Sequence, residues 1–256
     1  MKQFKIIATP KLIGYLIKFI LRIAAFGTML FLYIRNRAEL YRYTVASPKN
    51  GINFMHIMWA VFMLLMLLHL FPSKITSMGA SKSKKSNYSP VPEHSETELL
   101  KYIHNENVKA WRCMLCWLIG NALIGVLYYC GVLGKSELLL ITGFYFLSDY
   151  VCILIFCPFQ TFGQKSRCCI NCRIYDWGHF FMFTPMLFID TFYSRSLFFM
   201  GAAVIIRWEF MWTTHPERFW HGSNQALNCS NCRDKTCQIK QRFTKYAEQL
   251  INKKTN

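Results

Sequence analysis

The chain has 256 residues, 53% of them hydrophobic and 16% aromatic, and a formal net charge of +17. Its apolar residues fall in long runs between short basic segments, which excludes an ordinary soluble domain with helical or strand alternation. The Lys and Arg excess sits on the flanks of those runs, so nucleic acid is not implied as a partner.

In chain order the runs are Leu12 to Ile34, Ile52 to Phe71, Cys113 to Leu133, Leu138 to Phe159, about Trp177 to Tyr193, and Ser196 to Trp212. A run of about twenty apolar residues matches a hydrocarbon layer about 30 Å thick at about 1.5 Å rise per residue. Only helices satisfy their own backbone in lipid as single segments. The fold class expected is therefore all-α: a polytopic bundle of about six membrane spans with a small cysteine-rich cytoplasmic module. The first run follows Lys2, Lys5 and Lys11 but has no small-x-small site after it, so it reads as a span and not as a cleaved signal.

Twenty-one of the 30 Lys and Arg lie in 1–11, 72–112, 160–178 and 213–256, and six lie in 35–51, 134–137 and 194–195. The positive-inside rule then places both termini in the cytoplasm and the lipid bilayer around the runs. The expected units are 1–71 with two spans, a cytoplasmic loop 72–112, spans three to six over 113–212 enclosing the loop 160–178, and a tail 213–256. Within the first loop, Ser81-Lys82-Ser83-Lys84-Lys85-Ser86 and Pro90-Val91-Pro92 read as a flexible segment, either solvated or against anionic headgroups. Thr97 to Arg112 reads as an amphipathic helix leading into span three. Gln238 to Lys254 reads as a basic amphipathic helix, with Ile239, Phe243, Tyr246 and Leu250 on one face. No internal repeat is evident.

Charged residues within the runs are few. Asp149, near the middle of span four, is a candidate ion or proton site or the partner of a buried cation. Lys18 and Arg22 are near enough to the inner end of span one to reach the interface. Arg207 and Glu209 are two apart and cannot face each other on a helix. Thr184-Pro185 should kink span five. His69 and His179 approach the same face and are the histidines best placed to hold a haem.

Eleven cysteines are the most informative feature. Six form two clusters: Cys168, Cys169 and Cys172, then Cys229, Cys232 and Cys237. Each Cys-x-x-Cys turn can aim thiolates at one ion, the arrangement used by tetrahedral zinc sites and, at similar spacings, by iron–sulfur clusters. The 56 intervening residues form a hairpin of two spans, which leaves one face and returns to it. Both clusters then face a reducing compartment, where structural disulfides are rare. Cys113, Cys116 and Cys157 approach the same face and form a possible secondary metal or thiol site. Cys130 and Cys152 lie inside spans and read as small apolar side chains. His179, His215 and His221 flank the clusters and are available for a mixed site. The alternatives of zinc, an iron–sulfur cluster and metal-free reactive thiols stay open, with structural zinc favoured.

Phe156-Cys157-Pro158-Phe159, Cys168-Cys169-Ile170-Asn171-Cys172-Arg173-Ile174-Tyr175-Asp176-Trp177 and Met182-Phe183-Thr184-Pro185 resemble a family of uncharacterised bacterial polytopic membrane proteins. Arg207-Trp208-Glu209, His215-Pro216-Glu217-Arg218-Phe219 and the closing Cys-x-x-Cys-x4-Cys extend the likeness over about the C-terminal 100 residues. The resemblance implies a bacterial cell membrane and carries no activity with it. No His-Glu-x-x-His helix, Gly-x4-Gly-Lys loop or Gly-x-Ser-x-Gly elbow is present, so the reading leans away from an enzyme. Three classes remain: a scaffold with a cytoplasmic protein partner, a membrane redox protein, and a transporter using Asp149.

Overall fold

The computed structural model describes residues 9–38, 40–41, 54–71, 77–166, 168–232 and 234–243. The described residues are helices and turns, with one isolated antiparallel bridge between Pro90 and Asn224. The helices are α1 (Pro10–Arg35), α2 (Phe54–Leu70), α3 (Met78–Ser81), α4 (Glu96–Tyr129), α5 (Lys135–Leu154), α6 (Gly178–Phe183) and α7 (Phe192–Thr214). By length and composition α1, α4 and α5 could each cross a membrane, and α2 is a shorter apolar helix.

Local chemistry sets the ends of these helices. Thr9 caps α1 by accepting from the Leu12 N–H at 3.2 Å, and Pro10 occupies the first turn, where its missing donor costs nothing. Ser95 caps α4, and Glu96 and Glu98 sit against the positive end of its dipole. The Glu137 carboxylate accepts from the Gly134 N–H at 2.7 Å where α5 begins. Helix α5 ends at Leu154, five residues before the predicted boundary. Pro158 disfavours helical geometry at Cys157, and the chain closes off with Phe156 N–H donating to Val151 at 3.0 Å. Asp149 consequently lies about 7 Å from the end of its helix rather than at the middle.

Two further expectations change in shape. The amphipathic segment and span three form one unbroken helix of 34 residues. Span five is not a bent α-helix: α6 gives way at Thr184 to a 3₁₀ segment, Thr184–Phe188, where Pro185 removes a donor. Because 3₁₀ geometry rises about 2 Å per residue, the 14 residues from Tyr175 to Phe188 reach about 25 Å if straight.

The pairs α1/α5, α2/α7 and α6/α7 pack side by side. Gly201 lets α7 come within 3.2 Å of the His179 backbone, measured from where a Cβ would stand. One pole of the bundle gathers the start of α1, the end of α2, the first half of α4 and the ends of α5 and α7. Leu12 packs with Tyr150, Leu154 and Ile239, while Phe219 packs on Trp208 and Trp212. Residues 237–243 are helical, and the remainder of the predicted tail helix lies outside the described residues.

Candidate functional site

That pole is built on the two Cys-x-x-Cys turns. Cys169–Asn171 and Cys229–Asn231 are each a single 3₁₀ turn, closed by the N–H of Cys172 and of Cys232 bonding back to the first cysteine's carbonyl. The residues that follow match closely: Cys172 has φ −69°, ψ 125° and Cys232 has φ −68°, ψ 122°. Both turns read Cys-x-Asn-Cys-Arg. This five-residue repeat, passed over in the sequence, is the signal that would have paired them.

The two turns pack on one apolar floor. Met78, Ile170 and Leu227 form a buried cluster, with Cys168 and Cys232 laid against it. Burial pushes the Cys237 thiol up, and the nearby Cys168, Cys232 and Cys229 push it the same way. Cys168, Cys229, Cys232 and Cys237 thus share one neighbourhood. The Lys235 N–H points at Cys232 Sγ at 3.4 Å, the polar support expected of a thiolate in a tight turn.

The remaining cysteines of the pole go elsewhere. Cys168 is extended (φ −158°, ψ 168°), so Cys168 and Cys169 project in opposite directions. Cys169 Sγ lies 3.6 Å from Lys240 Nζ and 3.7 Å from Gln160 Oε1, and burial raises its thiol to about 11 despite that ammonium. Cys172 is buried in the aromatic cluster of Trp208, Trp212 and Phe219, and burial lifts it to about 12. Cys113 is buried beside Gln164 Nε2 at 3.6 Å, while Cys116, on the same helix, is exposed. Cys157 accepts from the Gln160 N–H at 3.3 Å. All eleven cysteines are thiols.

Among the described residues, no three His, Cys, Asp or Glu side chains are arranged to hold a metal ion as they stand. The donor set still suits a soft ion: Cys168 and Cys232 lie on a common apolar floor, and Cys229 and Cys237 stand near them.

The segment expected to be a flexible linker is a buried strap. Residues 78–84 are all buried, and Lys82 is only 1% exposed. Its ammonium donates to the carbonyls of Ile170 at 2.9 Å and Cys172 at 2.6 Å, and faces the rings of Trp208 and Phe219. Burial brings the Lys82 amine down to about 8. Low hydrophobicity misled here, because a turn whose carbonyls converge can bind an ammonium that composition alone assigns to solvent. Asp234, also buried, accepts from the Met78 N–H at 3.1 Å and pairs with Lys11 at 3.2 Å, tying the tail to α3 and α1.

Several polar groups from the runs and their flanks are paired. Arg22, expected to reach for the interface, binds Asp149 at 2.7 Å and lies over the rings of Phe146 and Tyr150. Arg207 donates to the His69 carbonyl at 3.0 Å. Glu209 takes both arms of Arg173, one at 2.8 Å, and the Trp177 indole N–H at 2.7 Å. His69 Nδ1 meets Asp176 Oδ1 at 2.9 Å. Burial raises the Asp176 carboxyl, but the His69 hydrogen bond and the surrounding His69, His179 and Lys82 charges outweigh it and hold Asp176 below its usual range. The His69 and His179 rings touch edge to face, 4.8 Å between centroids, which leaves no room for a porphyrin between them. His215 is paired with Glu217 at 3.2 Å, and the His221 ring lies against Trp220. Asp190 is exposed and pairs with Arg195 at 3.0 Å. No family model, curated protein or solved structure matches the chain.

Proposed function

We propose that this chain is a multi-pass protein of a bacterial cell membrane, with six crossings and both termini in the cytoplasm. Its cysteine pole would hold structural zinc through Cys168, Cys229, Cys232 and Cys237 and act as a scaffold toward a cytoplasmic protein partner. The crossings are supported by the gathering at one pole of alternate helix ends, and by the exposed Ile, Leu and Phe side chains along α1, α2, α4 and α7. The observation that carries the metal reading is the common floor beneath Cys168 and Cys232, which lie 64 residues apart in the chain. A tetrahedral thiolate site contributes folding free energy directly, because the metal clips together segments that have no covalent link. The Arg22–Asp149 pair neutralises the carboxylate on which transport would depend and so favours a scaffold.

Elemental analysis of protein purified without oxygen tests the reading. About one zinc per chain and a colourless solution are expected. Absence of metal overturns it, and iron with acid-labile sulfide replaces it with the redox class.

A further inference from the structure

Where the end of α2 meets the start of α6, three titratable side chains are in mutual contact. His69 Nδ1 lies 2.9 Å from Asp176 Oδ1, and the His69 ring meets the His179 ring edge to face, 4.8 Å between centroids. The side chain of Asp176 is 7% exposed and that of His69 is 23% exposed, so the pair reaches solvent through the imidazole. His179 Nδ1 is buried and has no hydrogen-bond partner. The neighbouring elements supply the surrounding charges. Arg207 of α7 is tied to the His69 carbonyl at 3.0 Å. Asp149 of α5, paired with Arg22 of α1, lies against Gly178, next to His179. Lys84 of the strap is within electrostatic reach of His69, and Lys82 is within reach of Asp176.

These contacts allow one positive charge on the two rings. A buried carboxylate needs a counter-charge, and His69 is the titratable group bonded to Asp176. An ionised carboxylate only accepts, so His69 Nδ1 carries a hydrogen whether the ring is neutral or charged. Gain or loss of a proton then takes place at Nε2 and breaks no bond to Asp176. A second imidazolium on His179 would face the first at 4.8 Å in a poorly screened interior, with no carboxylate of its own. We infer that His69, His179 and Asp176 form a binding site for a single proton, taken up on His69 Nε2 from the solvent at the cysteine-rich pole. The site ties the end of α2 to the chain four residues after Cys172, and it holds most firmly when protonated. It is independent of the zinc reading, because none of its groups belongs to the four-thiol neighbourhood.

The test is ring-nitrogen NMR of the full chain in lipid nanodiscs, with its seven histidines isotope-labelled, from about pH 5.5 to about pH 9. One ring should keep its Nδ1 hydrogen throughout while its Nε2 signal moves from the imidazolium to the imidazole position. A second ring should stay neutral over the whole range. His69→Asn should remove the titrating signals, because the Asn amide donates to Asp176 without taking up a proton. The Tm of the wild-type chain minus that of His69→Asn should fall as pH rises, since the charged pair with Asp176 is lost on deprotonation. Should His69→Asn not fold, His179→Phe removes the neutral ring's signals and assigns the pair. A ring bonded to Asp176 whose charge is the same at both ends of the range overturns the inference, as do two rings that charge together. A Tm difference that is flat with pH overturns it as well.

Discussion

Lys82 holds its ammonium 2.6 Å from the carbonyl oxygen of Cys172, so a lysine from a serine-rich segment forms the central post of a cysteine turn. Replacing it with methionine keeps much of the volume but leaves two buried carbonyls, of Ile170 and Cys172, without a donor. We expect Lys82→Met to lower stability by about 1–3 kcal/mol, read as a lower Tm of the detergent-solubilised protein by Trp fluorescence.

The same variant isolates a pH dependence. The Lys82 amine is lowered to about 8 in the folded chain, so the unfolded chain binds that proton more tightly. Stability from this group therefore rises between pH 8 and the ordinary lysine value near 10.5. In metal-free protein, Cys169 and Cys172 act oppositely. Raised to about 11 and 12, they hold their contribution below the ordinary thiol value and lose it as pH climbs through those numbers. Losing the Lys82 charge moves Cys172 further up, so that thiol stays protonated in both folded chains between pH 8 and pH 10 and the difference curve there reports Lys82. The deficit of the variant should widen from pH 8 to pH 10; a flat difference refutes the assignment.

Arg22 and Asp149 should behave as a unit. Either Arg22→Met or Asp149→Asn leaves one partner of a 2.7 Å pair without its counter-charge. The double variant should lose less than the sum of the single losses. A double-mutant cycle on Tm should give a coupling of roughly 1–3 kcal/mol, and additivity would show that the two do not depend on one another.

Arg173 is 2% exposed on its side chain and meets Glu209 with two nitrogens while stacking 4.1 Å from the Trp212 ring centroid. A lysine offers neither the fork nor the plane. Arg173→Lys should cost about 1.5–3 kcal/mol, and Arg173→Lys with Glu209→Gln should not restore it.

Cys168 and Cys169 are neighbours in the chain yet should answer differently. Cys168→Ser is expected to reduce zinc content, because Cys168 stands with Cys229, Cys232 and Cys237. Cys169→Ser should leave zinc unchanged, since its sulfur faces Lys240 and Gln160. Equal loss from both variants would place the ion elsewhere.

Much of the helical framework was legible because its signals are local. The run from Leu12 to Ile34 and the capping residues around it need no partner to be read, and Pro185 marks its own break. The pole was less legible because its contacts cross long stretches of chain. Lys82 is polar by composition and buried by geometry, and only the carbonyls of a turn 88 residues away explain it. Six clustered cysteines pointed to a common face, but the opposite projection of Cys168 and Cys169 follows from one extended residue. Asp149 invited a functional role while its partner, 127 residues earlier, was assigned to the interface.

Helix α4 is a single rod from Glu96 to Tyr129, and its early residue Tyr102 reaches the tail by donating to the Phe219 carbonyl at 3.3 Å and stacking on Trp220. Between Tyr102 and Tyr129 the rod is about 40 Å long, so a five-degree tilt displaces one end by about 3.5 Å relative to the other. In a bilayer, the thickness and lateral pressure that set such a tilt would be delivered mechanically to the aromatic residues beneath the cysteine turns.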